Sequence, residues 1–153
     1  MKIVICGSVA FINEMIKVGQ ELESLGHEVK MPPTAEPGEH GQPIPILEYY
    51  RHKKEALNNP GHWIWKRHNE PIRTHFDKIT WGDAILVLNY EKNGMPGYVG
   101  PNTLMEMGVA FYLNQPIFLL NPIPGLPHAE EMRGLQPIVL NGDLSLIKEE
   151  VKV

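Results

Sequence analysis

The sequence predicts an α/β fold, a three-layer sandwich in which a five-stranded parallel sheet lies between two layers of helices. Three observations lead there. Short apolar runs of strand length recur along the chain, each followed by a stretch with three- and four-residue apolar spacing. The first set, strand, helix and strand, fits within about 30 residues as a βαβ unit. The runs at residues 3–6 and 84–88 are apolar throughout, as buried strands are.

Lys2-Ile3-Val4-Ile5-Cys6 ends at Gly7-Ser8 and reads as the first buried strand. From Phe11 to Leu25 the apolar positions Ile12, Met15, Ile16, Gly19, Leu22 and Leu25 keep helical spacing, with Glu14, Lys17, Glu21 and Glu23 between them. Gly26 follows as a left-handed C-cap, and residues 27–31 form a second strand stopped by Pro32-Pro33. Residues 32–67 are irregular and rich in Pro, Gly and His; six of the chain's 14 prolines fall between Pro32 and Pro60. They read as a lid-like insertion, with a short helix over 47–57. A helix over 70–81 places Ile72, Phe76 and Ile79 on one face, and residues 84–89 are the strongest strand. A Gly-rich loop over 92–101 leads to a helix over 104–114. A strand at 117–120, a short helix around 128–134 and a last strand at 137–140 complete the set. The strand order expected is 2-1-3-4-5, flavodoxin- or Rossmann-like, in one domain spanning 1–153.

Composition removes several classes of function. At 153 residues the chain suits one domain with a core of its own. It carries 14 Lys and Arg against 18 Asp and Glu, a net charge of −4, which argues against a grip on polymeric nucleic acid. The single cysteine, Cys6, excludes an internal disulfide and a Cys-cluster zinc site. No apolar run is long enough to span a membrane, and no signal-peptide pattern opens the chain, so a cytoplasmic location is expected. The seven histidines show no metal-ligand spacing, and no metal is expected.

Ligands of open parallel sheets sit at the carboxyl ends of the strands, which nominates Gly7 and Ser8, Asn89 with the Gly-rich loop, and Asn121. Gly7-Ser8 suits an anion or a sugar hydroxyl, or is simply a tight turn. Glu106 stands on a helix that is apolar on nearly every face, which predicts burial all round, one side against the sheet and the other against a second subunit. Its carboxylate, expected in the first helical turn, is either the partner of Thr103 in a capping box or a catalytic group. Trp63 and Trp65 could stack on a flat base or pack; Trp81 reads as packing. Tyr90, Asn93 and Tyr98 add polar candidates in the long loop.

Ile5-Cys6-Gly7-Ser8, Gly82-Asp83-Ala84-Ile85-Leu86-Val87 and Gly100…Glu106-Met107-Gly108-Val109-Ala110 together resemble the nucleoside 2-deoxyribosyltransferase superfamily, which includes 2′-deoxynucleoside 5′-phosphate N-hydrolases. The resemblance covers roughly residues 2–31 and 70–123. It implies cleavage or transfer at the N-glycosidic bond of a nucleoside or nucleoside monophosphate, with no metal or organic cofactor. It also implies a homodimer or larger homo-oligomer. Glu106 falls at the nucleophile position. The family's usual aspartate falls on His75, and Asp77 lies two residues on; either could donate the proton. Asp83, Tyr98 and Gly100 join Gly7, Ser8, Asn89 and Asn121 as substrate-binding candidates. The nucleotide hydrolases carry an arginine where this chain has Ala10 and a serine where it has Gly100, which leaves a 5′-phosphate open. A non-catalytic nucleotide sensor and a phosphoribohydrolase are the alternative expectations.

Overall fold

The computed structural model describes residues 1–148. Strand β1 (Lys2–Cys6) is followed by a 3-10 turn at Val9–Phe11 and helix α1 (Ile12–Ser24), and then by β2 (Glu28–Lys30). An insertion follows, with β3 (Ala35–Pro37), β4 (Pro43–Pro45) and α2 (Ile46–Glu55). The framework resumes with α3 (Asn69–Trp81), β5 (Ala84–Val87), α4 (Pro101–Tyr112), β6 (Ile117–Leu119), α5 (Ala129–Gly134) and β7 (Ile138–Val139). Among the described residues the main sheet has the order β2-β1-β5-β6-β7 and is parallel throughout. Counted by sheet strands alone this is the expected 2-1-3-4-5.

Alternation along the strands builds two cores. Ile3, Ile5, Leu86 and Phe118 face α1, meeting Ile12, Met15 and Leu22. Val4, Cys6, Ile85 and Val87 face the other side, meeting Ile79 of α3 and Met107 and Ala110 of α4. Because side chains alternate with period two, Cys6 is delivered to the α3/α4 face together with Val4.

The insertion is more ordered than its composition suggested. β3 and β4 form an antiparallel hairpin with Ala35 opposite Pro45, and Arg67 reaches back to Glu36 at 3.4 Å. Prolines sit at both ends of β4 because a two-stranded ribbon leaves one edge of each strand without ladder partners. Trp63 packs edge-on against Tyr49, and the Trp65 indole N–H donates to the Ala56 and Asn59 carbonyls. Both tryptophans therefore hold the insertion together. Trp81 lies beneath the Lys30 ammonium, 4.1 Å from its ring centroid.

Helix α4 corrects one expectation. It starts at Pro101 with Gly100 as its N-cap, so Glu106 lies in the second turn and does not close a capping box. Its buried stripe is Thr103, Glu106, Met107 and Ala110, while Met105, Phe111 and Tyr112 are exposed in the single chain. No helix among the described residues is long and apolar enough to cross a membrane.

Candidate functional site

A cleft opens at the carboxyl end of β1, where Gly7 ends the strand. α3 brings His75 to it, α4 brings Asn102 and Glu106, and α2 supplies one wall. That wall is Ile46, Tyr49, Tyr50 and Lys53, the three- and four-residue spacing of a single helix face. His75 and Ile79 share the inward face of α3 in the same way, four residues apart.

Glu106 and His75 are 4% and 6% exposed, so each is taken out of water almost completely. His75 Nε2 stands 3.8 Å from Glu106 Oε1 and 3.4 Å from Cys6 Sγ. Asn102 Nδ2 donates to Glu106 Oε1 at 3.1 Å, while Glu106 Oε2 is buried with no hydrogen-bond partner. Burial pushes the Glu106 carboxyl up to about 8, against smaller opposing pulls from the Cys6 thiol and the Lys53 charge. Burial, helped by Lys78, brings the His75 imidazole down to about 4. Close as they are, the two groups therefore rest at neutral pH as a carboxylic acid beside a neutral imidazole, not as an ion pair. One proton belongs to the pair.

Cys6, His75 and Glu106 are also the described trio whose metal-ligating atoms lie within 4.8 Å of one another. Metal binding needs the thiolate. Burial first, and the neighbouring Glu106 second, push the Cys6 thiol well above its ordinary value, and Cys6 Sγ lies 3.4 Å from His75 Nε2.

Beside the cleft, and sharing Gly7, Val9, Tyr50, Lys53 and Asn102 with it, lies a second chamber. Lys92 reaches into it from the long loop and donates to Ser8 Oγ and to Tyr50 Oη, each at 2.9 Å. The loop turns back sharply at Asn93-Gly94, both with positive φ, and the Lys92 and Met95 backbones bond each other across that turn.

The other sequence candidates divide clearly. Gly7 lines both cavities, and Ser8, Tyr98 and Gly100 line the second chamber. Asp77 is exposed, two residues from His75 and so on another face of α3, and it is absent from the walls of both cavities. Asp83 precedes β5 at the amino end of the sheet, where its carboxylate accepts the Lys2 N–H at 2.8 Å; this is the end opposite the cleft. Asn89 is fully buried, donating to the Asn121 and Pro122 carbonyls and accepting the Asn121 N–H. Asn121 returns a bond to the Asn89 carbonyl. The two clamp neighbouring loops and leave little for a ligand. Tyr90 packs edge-on to Phe11. Sequence reasoning missed Cys6, Tyr50, Lys53, Lys92 and Asn102; the helical spacing of Tyr50 and Lys53 with Ile46 was the available signal for the first wall.

No protein-family model matches the chain, and no curated protein matches it. Among solved structures, it is similar to a 2-deoxyribosyltransferase from Bacillus psychrosaccharolyticus, with 19% identity over 80% of this chain and 73% of that one, at a TM-score of 0.49. It is also similar to a CMP N-glycosidase from Clostridium botulinum, with 16% identity over 92% of this chain and 90% of that one, at a TM-score of 0.48.

Proposed function

We propose that the chain cleaves, or transfers a sugar across, the N-glycosidic bond of a nucleoside or nucleotide, with Glu106 as nucleophile and His75 as its proton partner. The observation that carries this reading is the one-proton pair on the floor of the cleft: a buried carboxyl with one unpartnered oxygen, 3.8 Å from a buried imidazole. It supports the roles that the resemblance around Gly100 and Glu106-Met107-Gly108-Val109-Ala110 implies.

A carboxyl held neutral is a poor nucleophile, and His75 resolves this. Transfer of the shared proton from Glu106 to His75 leaves a carboxylate beside an imidazolium. The carboxylate attacks C1′, the C1′–N bond breaks, and its electron pair leaves with the base. The base nitrogen takes the proton from His75, which returns to neutral imidazole. Water, or the nitrogen of a second base, then attacks C1′ of the glycosyl-Glu106 ester. The proton released returns to Glu106 through His75. Water as acceptor makes a hydrolase, a base a transferase. The burial that raises the Glu106 pKa also strengthens its attraction to the cationic sugar as the bond opens.

The test is a panel of ribo- and deoxyribonucleosides and their 5′-monophosphates, with chromatography for free base and intact mass for a sugar adduct. The expected result is base release, an adduct on the peptide holding Glu106, and loss of both in Glu106→Gln. Base release undiminished in that variant, or no release from any member of the panel, would overturn the reading.

A further inference from the structure

Cys6 is a buried group that the proposed bond chemistry leaves unused. It ends β1 on the face covered by α3 and α4, where Val4, Ile85 and Val87 are apolar, and there it meets His75 and Glu106. The three side chains come from separate elements, Cys6 and His75 being 69 positions apart, so no ligand spacing shows along the sequence.

One ligand atom from each side chain lies within 4.8 Å of the other two. Zinc bonds of about 2.3 Å to sulfur, 2.0–2.1 Å to imidazole nitrogen and 2.0–2.2 Å to carboxylate oxygen, at tetrahedral angles, set such atoms about 3.3–3.6 Å apart. Cys6 Sγ is 3.4 Å from His75 Nε2, and His75 Nε2 is 3.8 Å from Glu106 Oε1. Two edges of the triangle therefore match what the ion needs to within about half an ångström. A second observation is independent of these distances. Glu106 is 4% exposed, yet its Oε2 is buried without a hydrogen-bond partner, while Asn102 Nδ2 holds Oε1 at 3.1 Å. An outer amide that orients the carboxylate, with one oxygen left open, is how a ligating carboxylate is held.

Charge balances as well. Loading replaces the Cys6 thiol proton and the Glu106 carboxyl proton with one divalent cation, and both protons leave to water. A coordinating thiol loses its proton outright, although burial holds that proton on the free group. The trio is uncharged before and after loading, so no net charge is buried, and Lys53, whose charge reaches Glu106 from α2, faces none in addition. Sulfur beside imidazole and carboxylate favours zinc-class ions over magnesium and calcium, which take oxygen ligands.

We propose that Cys6, His75 and Glu106 form a binding site for a zinc-class divalent cation, with the fourth coordination position open to the cleft that His75 and Glu106 line. The site stands on its own geometry; its consequence rests on the glycosidic reading. An ion on Glu106 and His75 takes the electron pairs of the nucleophile and of its proton partner, so the loaded chain is switched off.

The test titrates the chelator-treated full-length chain and Cys6→Ser with Zn²⁺, Mg²⁺ and Co²⁺, beside base-release assays. Cys6 is the chain's one cysteine, so a cobalt–thiolate charge-transfer band in the near ultraviolet reports this site alone. Wild type should show that band and bind one Zn²⁺ about 100-fold or more tightly than Mg²⁺. Cys6→Ser should lose the band and bind Zn²⁺ about tenfold or more weakly. Base release should stop at one equivalent of Zn²⁺ and return on chelation. Zinc binding without the cobalt–thiolate band would put the ion on histidines of the insertion, such as His52 and His62 with rings 6.2 Å apart, and overturn the site. No binding, or zinc affinity unchanged in folded Cys6→Ser, would also overturn it. If Cys6→Ser does not fold, the band on wild type decides alone. The band with base release untouched by Zn²⁺ upholds the site and removes Glu106 and His75 from the bond chemistry. The band with no base release from any nucleoside or nucleotide upholds the site and removes the bond chemistry itself.

Discussion

Replacing Glu106 with glutamine keeps the side chain's shape and removes its proton equilibrium, so the variant isolates what ionising a buried carboxyl costs this fold. Burial raises the Glu106 pKa from an ordinary 4.5 to about 8 in the folded chain. Between those values the folded chain binds more protons than the unfolded one, so stability is greatest below the lower value and falls as pH rises through the upper one. A tenfold change in a proton equilibrium corresponds to about 1.4 kcal/mol, so the penalty is on the order of 1 kcal/mol at pH 5 and on the order of 5 kcal/mol at pH 9. The contribution of His75 runs the other way. Its lowered pKa means that stability is lost as pH falls from about 6.5 toward 4, in wild type and variant alike, and it largely cancels in the difference. Urea unfolding of both chains at pH 5 and pH 9 measures the effect. Glu106→Gln should be the more stable chain at pH 9 by several kcal/mol, with a urea midpoint more than about 1 M higher, and only slightly different at pH 5. An identical gap at the two pH values would show that Glu106 ionises as freely when folded as when unfolded, and the one-proton pair would be lost with that result.

Because the competent state holds a single proton on the Glu106–His75 pair, kcat/KM should be bell-shaped, falling below about 4 and above about 8; a rate still climbing past pH 9 would mean that the carboxylate acts without its partner. His75→Gln should lower kcat by about 10²–10⁴-fold with a smaller change in KM, and a raised KM with kcat unchanged would instead mark a residue that only binds. Gly7→Ala would place a Cβ 3.0 Å from the Leu88 carbonyl and 3.2 Å from Met15 Cε at a φ of +150°, and should cost about 1–3 kcal/mol in thermal or urea unfolding.

The sheet was readable because its inner strands β1, β5 and β6 are apolar on both faces and separated by helices of clear period, from Ile3 and Val4 through to Phe118 and Leu119. Glu106 was readable as a lone carboxyl in an apolar helix, although the start of that helix was misplaced by the Thr103 capping pattern when Gly100-Pro101 in fact begins it. The β3–β4 hairpin was hidden because Pro37, Pro43 and Pro45 carry no strand signal and only their antiparallel pairing makes them strands. Lys53 and Lys92 were hidden for a different reason. A lysine on a helix or a loop tip reads as a solvated charge, and only the fold shows two of them meeting over Tyr50 from positions 39 residues apart. Asn89 and Asn121 illustrate the reverse error: they lie at the productive edge of the sheet, but each satisfies the other.

Residues that would make and break the bond and residues that would choose what enters come from separable parts of the chain. Cys6, His75 and Glu106 belong to the sheet and its covering helices, whereas Tyr49, Tyr50 and Lys53 stand on α2, inside a segment spliced between β2 and α3. The framework's own strand order does not depend on that segment, since β1 pairs with β2 and β5 directly. On the proposed reading, changes at Tyr49 and Tyr50 would alter what enters the cleft without replacing Cys6, His75 or Glu106, whereas a change at Lys53 on the same helix face would also act on the Glu106 charge.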